Sequence, residues 1–252
     1  MSPAIKAIDD PAAYVTPADG IPRIVYTGRD DGHIHELSLQ GFWSQADLSY
    51  LASQDCRVHC DTKLPIGGGH LFPYVSNDNI PRVVYRGTDE HIHELYLHDG
   101  WFQGDLFQDV INGGNPAPVS AASDPFPYTT KDGITARVVY RGNDNDIHEL
   151  YLQPRGWFQA DLSLLASQHC DCSPAPPGVW NPFAYVTSAD NIPRVVYTGQ
   201  DGHIHELYLH DGWFPDDLSS IIGPSAISAG GSPRAYVTPD GIVARVVFRS
   251  VP

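Results

Sequence analysis

RVVYRGTDEHIHELYLHDGWFQGDL, Arg82 to Leu106, recurs almost letter for letter along the chain. It returns as RIVYTGRDDGHIHELSLQGFWSQADL from Arg23 to Leu48, as RVVYRGNDNDIHELYLQPRGWFQADL from Arg137 to Leu162, and as RVVYTGQDGHIHELYLHDGWFPDDL from Arg194 to Leu218. A fifth copy opens at Arg245 with RVVFRS. A short tyrosine segment precedes each copy, at Tyr14, Tyr74, Tyr128, Tyr185 and Tyr236, which are 60, 54, 57 and 51 residues apart. A period of this size makes the repeat the unit to be explained. The units are residues 13–72, 73–126, 127–183, 184–234 and a partial 235–252, read as one domain behind a leader of residues 1–12.

Within a repeat, four alternating runs are separated by Gly, Asp, Asn and Pro, the pattern of short strands and turns. In the second repeat they are Pro73 to Ser76, Arg82 to Arg86, His91 to Leu97 and Trp101 to Phe107. Short links require neighbouring antiparallel strands. Four-stranded antiparallel units recurring every fifty-odd residues predict an all-β β-propeller, with four complete blades and a partial fifth. A five-bladed ring is favoured, with the leader completing the thin blade. Val83 and Tyr85 are expected to face one neighbouring blade and Val84 the other. The VIN and LSLLAS segments after the fourth strand allow a single helical turn.

Composition agrees with a folded chain: 252 residues, 42% hydrophobic and 11% aromatic, with 23 glycines and 22 prolines to make turns. The net charge of -15 disfavours nucleic acid and anionic membrane surfaces as partners. No apolar run reaches the length of a bilayer crossing, and MSPAIKAIDD lacks the features of a secretion signal. A cytoplasmic or non-classically exported soluble protein is expected. The close cysteine pairs Cys56/Cys60 and Cys170/Cys172 leave local disulfides open, and neighbouring His59 and His169 permit a zinc reading that the separation of the pairs disfavours.

If the hairpin tip is the three-residue loop Gly87 to Asp89, Arg86 lies opposite Glu90, Val84 opposite Ile92, and Arg82 opposite Glu94. The same arithmetic joins Arg23 to Glu36, Arg137 to Glu149 and Arg194 to Glu206, while Arg245 has no glutamate of its own. One reading is an ion pair that fixes strand register. The other is a clamp for adjacent hydroxyls, since guanidinium donates and carboxylate accepts. Trp43, Trp101, Trp157 and Trp213 follow the third strand, as wedges between blades or as flat floors for the C–H face of a sugar.

The order of an Arg-Val-Val-Tyr strand, an Ile-x-Glu strand and a Gly-Trp turn resembles the fungal fucose-specific lectin family and its short bacterial relatives, from Ala13 to Leu218 and into the partial repeat. That resemblance implies a β-propeller. It also implies hydroxyl binding by Arg82, Glu94 and their equivalents, with stacking by the tryptophans. The chain departs from the family where a second aromatic is common three residues after the glutamate; Leu39, Leu97, Leu152 and Leu209 stand there. It also has four and a half repeats where six are usual.

Two further patterns recur. HIH places His33 with His35, His91 with His93, and His203 with His205 on one strand face, a metal-chelating spacing. Asp146 breaks the pattern in the third repeat, and polar packing is preferred, so no metal or cofactor is assigned. Asp47, Asp105, Asp161 and Asp217 suit turn caps. Carboxylates repeated in every blade do not make the single asymmetric site of a glycosidase. The resulting expectation is a non-enzymatic multivalent lectin with glycan partners, compatible with homo-oligomerisation; the alternative is a propeller scaffold for protein partners.

Overall fold

The computed structural model describes residues 5–54, 69–169, 174–223, 227–241 and 243–251. The four cysteines and His59, and with them the disulfide and cysteine-zinc readings, lie outside the described residues. The chain divides into two compact units, Met1–Asp109 and Val110–Pro252.

The first unit carries two sheets. One runs β1(Ala12–Thr16), β2(Ile21–Thr27), β3(Ile34–Gln40), β4(Phe42–Asp47) and ends in α1(Leu48–Gln54). The other runs β5(Phe72–Val75), β6(Pro81–Arg86), β7(Ile92–Leu97), β8(Trp101–Asp105), followed by α2(Leu106–Asn112), which crosses into the second unit. The second unit holds β9(Phe126–Tyr128), β10(Ala136–Arg141), β11(Ile147–Gln153), β12(Gly156–Asp161) with α3(Leu162–His169). Next come β13(Phe183–Thr187), β14(Ile192–Thr198), β15(Ile204–Leu209), β16(Trp213–Asp217) with α4(Leu218–Ile222). A two-stranded sheet, β17(Arg234–Val237) and β18(Ala244–Val247), follows. Each four-stranded sheet is an antiparallel meander in chain order.

The strands lie where the alternation places them, one per run in every repeat. The fourth strand ends early because Asp105 caps α2: its Oδ1 accepts the N–H groups of Phe107 and Gln108 at 3.0 and 3.1 Å. Asp47, Asp161 and Asp217 do the same for Tyr50, Leu164 and Ser220 at 2.8, 2.8 and 2.9 Å. The aspartates are caps as expected, but the helices they start run to eight residues rather than a single turn.

These helices have a packing task. In the first unit Leu48 and Ala52 of α1 join Val25 and Ile34 of repeat 1 and Val83, Tyr85, Leu95 and Trp101 of repeat 2 in one apolar cluster. In the second, Leu162 and Ala166 of α3 join Tyr128, Val139 and Ile147 to Val195, Tyr197, Leu207 and Trp213. Val83 and Tyr85 thus face the preceding repeat, as the alternation predicts. Within each unit the two sheets thus cover one apolar face of each other.

The leader corrects one expectation. Ala7 bridges to Gly28, Ile8 N–H donates to the Thr27 carbonyl at 2.9 Å, and the Asp9 carboxylate takes the Thr27 hydroxyl at 2.8 Å. Ala121, Gly178 and Ala229 bridge to Gly142, Gly199 and Ser250 in the same way. Ala7, Ile8 and Asp9 of the leader therefore serve repeat 1 as its lead-in, and among the described residues the sheet β17–β18 contains two strands. No helix of the described residues is long and apolar enough to cross a membrane.

Candidate functional site

The register differs from expectation by two residues. Arg86 pairs with Ile92, Val84 with Glu94, and Arg82 with Tyr96. The hairpin tip is a five-residue turn, because Gly87 N–H reaches the His91 carbonyl at 2.9 Å and Asp89 Oδ1 takes the N–H of His91 at 3.1 Å, with Glu90 at φ 66°. A two-residue slip preserves the face of every side chain. Arg82 and Glu94 are therefore diagonal neighbours, and their length closes the gap.

Each pair is the centre of a larger polar cluster. In repeat 1, Arg23 Nη1 donates to Glu36 at 2.9 Å, Nη2 to Asp19 at 2.8 Å and Nε to the Thr16 hydroxyl at 3.2 Å, while the Tyr14 hydroxyl donates to Glu36 at 2.6 Å. In repeat 2, Arg82 Nη1 reaches both Glu94 oxygens at 3.1 and 2.8 Å, Nε reaches Ser76 at 2.8 Å and Nη2 reaches Asp78 at 3.3 Å. In repeat 3, Arg137 binds Glu149 at 2.7 Å, Asp132 at 2.6 Å and Thr130 at 3.1 Å, and Tyr128 also donates to Glu149. In repeat 4, Arg194 binds Glu206 at 2.7 Å and Thr187 at 3.4 Å, and Tyr185 donates to Glu206. Asp190, the counterpart of Asp19, Asp78 and Asp132, forms no ion pair with Arg194 among the described residues.

The four clusters are not equivalent in access to water. Arginine side-chain exposure is 5% at Arg82, 9% at Arg137, 11% at Arg23 and 23% at Arg194, and the glutamates are at 3–5% throughout. Burial works against charge on Arg82 and Arg137, but Glu94 and Glu149 outweigh it and hold both guanidinium groups above their ordinary pKa. Burial raises Tyr128 well above its usual range, reinforced by Glu149. Arg245 is exposed in the two-stranded sheet.

The tryptophans are not beside the arginine of their own repeat. Trp43, Trp101, Trp157 and Trp213 pair with Leu39, Leu97, Leu152 and Leu209, one position out of phase with the arginines, and so occupy the opposite face. Trp101 faces repeat 1 and Trp213 faces repeat 3, each in an apolar cluster. Trp101, Trp157 and Trp213 are 8%, 5% and 6% exposed, whereas Trp43 is 51% exposed. Three of the four are therefore buried rather than open floors, and Trp101 and Trp213 are wedges between sheets.

An aromatic that the sequence reading passed over takes that place. Tyr96, Tyr151 and Tyr208 stand directly opposite Arg82, Arg137 and Arg194, with the guanidinium carbon 5.4, 6.0 and 5.3 Å from the ring centre. Strand alternation was the available signal, because a residue two after the glutamate shares its face. The equivalent in repeat 1 is Ser38.

Two predictions follow from this wiring. Tyr128→Phe should cost about 1–2 kcal/mol by removing a donor from the buried Glu149. Tyr74→Phe should be neutral or stabilising, because the buried Tyr74 hydroxyl has no hydrogen-bond partner among the described residues. Chemical denaturation of both variants checks the contrast.

Partial burial opposes ionisation of Asp19, Asp132 and Asp190. The threonine hydroxyl, a backbone N–H and the nearby arginine outweigh it, holding all three below their ordinary 3.8. A depressed carboxylate stabilises above its unfolded value and loses that contribution as pH falls through the folded value. The melting temperature should therefore fall below about pH 4; an unchanged value down to pH 2 would contradict these contacts.

The histidines of each HIH motif share a face, as expected, with ring centres 6.4, 6.2 and 6.1 Å apart in repeats 1, 2 and 4. His33, His91 and His203 bond to the capping aspartates Asp47, Asp105 and Asp217 at 2.8–2.9 Å. His35, His93, His148 and His205 bond to Asp31, Asp89, Asp144 and Asp201. A glycine makes the second pairing possible: a Cβ on Gly87 would stand 2.3 Å from Asp89 Oδ1 and 2.8 Å from His93.

No family model matches the chain, and no curated protein matches its sequence. Solved structures do. Aleuria aurantia lectin, a six-bladed β-propeller with a fucose recognition mode, aligns over 95% of this chain and 70% of its own at 17% identity and a TM-score of 0.57. SapL1 lectin, solved with α-methyl fucoside, aligns over 93% and 68% at 17% identity and 0.57. A lectin from Burkholderia pseudomallei aligns over 95% and 66% at 13% identity and 0.57. At these identities the likeness is one of fold: a repeated four-stranded antiparallel architecture shared with fungal and bacterial β-propeller lectins.

Proposed function

We propose that this protein is a non-enzymatic carbohydrate-binding lectin whose most accessible site is the arginine face of repeat 4. The observation that carries it is the state of Arg194. Its side chain is held by Glu206 through Nη1, lies over the Tyr208 ring, is 23% exposed and forms no ion pair with an aspartate among the described residues. A donor edge, a carboxylate and an aromatic face match the donors, acceptors and C–H surface of a neutral sugar. The fold shared with fucose-binding lectins favours fucose or a related sugar as the first ligand to try.

In this reading residues 13–252 form one propeller domain, with the five repeats as successive blades. The sites are unequal. Of the arginines paired with a glutamate, Arg194 is most open and Arg23 next, while Arg82 and Arg137 serve mainly to lock their strands. Multivalency is then lower than the repeat count suggests. The burial of those two pairs also favours the rival reading, a scaffold for protein partners in which all the arginines are structural.

Immobilised-monosaccharide retention and a glycan array separate the two. The lectin reading expects retention that free sugar competes away, and at least a tenfold loss in Arg194→Lys. That variant keeps a cation beside Glu206 but removes the planar donor fork. A folded wild-type chain that no sugar retains would favour the scaffold.

A further inference from the structure

We infer that repeat 4 carries a site for a zinc-class divalent metal ion at Asp201, His203, His205 and Asp217. One ligand atom from each lies within 4.8 Å of every other. The four come from separate stretches: Asp201 from the turn after β14, the histidines from the approach to and start of β15, and Asp217 from the end of β16. Sequence spacing brings the two histidines together; only the hairpin and the cap bring both carboxylates to them.

The donors are already oriented. Asp201 Oδ1 accepts the N–H of His203 at 3.0 Å, and the carboxylate faces His205 Nε2 at 3.1 and 3.0 Å. Asp217 Oδ1 takes the N–H of Ser220 at 2.9 Å, while Oδ2 faces His203 Nδ1 at 2.9 Å and also accepts the Ser220 hydroxyl. Backbone contacts of this kind fix the carboxylates as outer-shell partners do in metal sites. Four ligands at about 2.0–2.2 Å from a tetrahedral ion stand about 3.3 Å from one another; the two His–Asp pairs are at 2.9–3.1 Å, and all four donors lie within 4.8 Å, so binding would draw the two pairs together. The ion would replace the imidazole protons that now bridge the pairs. Two neutral imidazoles and two carboxylates balance a dication, and nitrogen with oxygen donors suits zinc better than calcium or magnesium. His203 and Asp201 are 39% and 42% exposed, which provides entry, while His205 is held at 8%.

The other repeats grade the argument. Three donors converge in repeat 1, from Asp31, His33 and Asp47, and three in repeat 2, from Asp89, His93 and Asp105. Repeat 3 has Asp146 where the first imidazole would stand. One tight site in repeat 4 and weaker ones in repeats 1 and 2 are expected.

The test uses the full chain with serine at Cys56, Cys60, Cys170 and Cys172, stripped of metal, so that thiolates cannot contribute. Titration with Zn²⁺ by calorimetry and with Co²⁺ by visible absorption should show saturable binding and the intense bands of a four-coordinate ion. His203→Ala should weaken the tight site at least tenfold with an unchanged circular dichroism spectrum. Asp146→His should add a binding equivalent in repeat 3, a gain that loss of folding cannot mimic. Absence of binding, a spectrum that stays that of aqueous Co²⁺, or binding indifferent to both substitutions would overturn the site.

Discussion

Arg137→Ala is expected to destabilise the second unit by about 3–5 kcal/mol, because it leaves Glu149 buried without its cation. Glu149 is almost fully enclosed and loses its Nη1 contact at 2.7 Å; among the described residues only the Tyr128 hydroxyl remains as a donor to it. Burial already pushes the Glu149 carboxyl upward, with Arg137 pulling it back. Without the arginine the group should take up a proton before the fold accepts it as an anion. The double variant Arg137→Met with Glu149→Leu should recover most of the loss, because apolar replacement of a buried pair is often neutral or better. Urea denaturation of the three proteins reads this directly. A loss under about 1 kcal/mol in the single variant would mean that water reaches the pair. The repeat 3 cluster would then return as a sugar site.

Trp101→Ala should cost about 3–5 kcal/mol, and Trp43→Ala less than about 1 kcal/mol, although both occupy the same place in the repeat. Trp101 is wedged against α1 and the inner face of repeat 1, so its loss opens a cavity among Leu48, Ala52 and Leu95. Trp43 has half its surface in water and leaves little behind. Thermal unfolding of the two variants measures the difference. Equal costs would show that repeat 1 has a cover comparable to that of repeat 2.

Much of this architecture can be read before any coordinates. The period, the four strands of each repeat and the capping aspartates are local: alternation, turn residues and an acidic side chain before a leucine each act within a few positions. The association of Arg82 with Glu94 was also readable. Its parity survived a wrong turn length, since a two-residue slip returns side chains to the same face.

What could not be read depends on which repeat stands next to which. The same Arg-Glu letters are nearly sealed in repeats 2 and 3 and more open in repeat 4, where the Arg194 side chain is 23% exposed. The same tryptophan is a wedge at Trp101 and Trp213 and half exposed at Trp43. Tyr96, Tyr151 and Tyr208 took the place over the guanidinium that the tryptophans were expected to fill. Burial is a property of what packs over a side chain, and near-identical repeats do not encode their own cover. The chain's letters therefore settled the strand pattern and the partners within a sheet, whereas packing between sheets decided how deeply each arginine and tryptophan is buried.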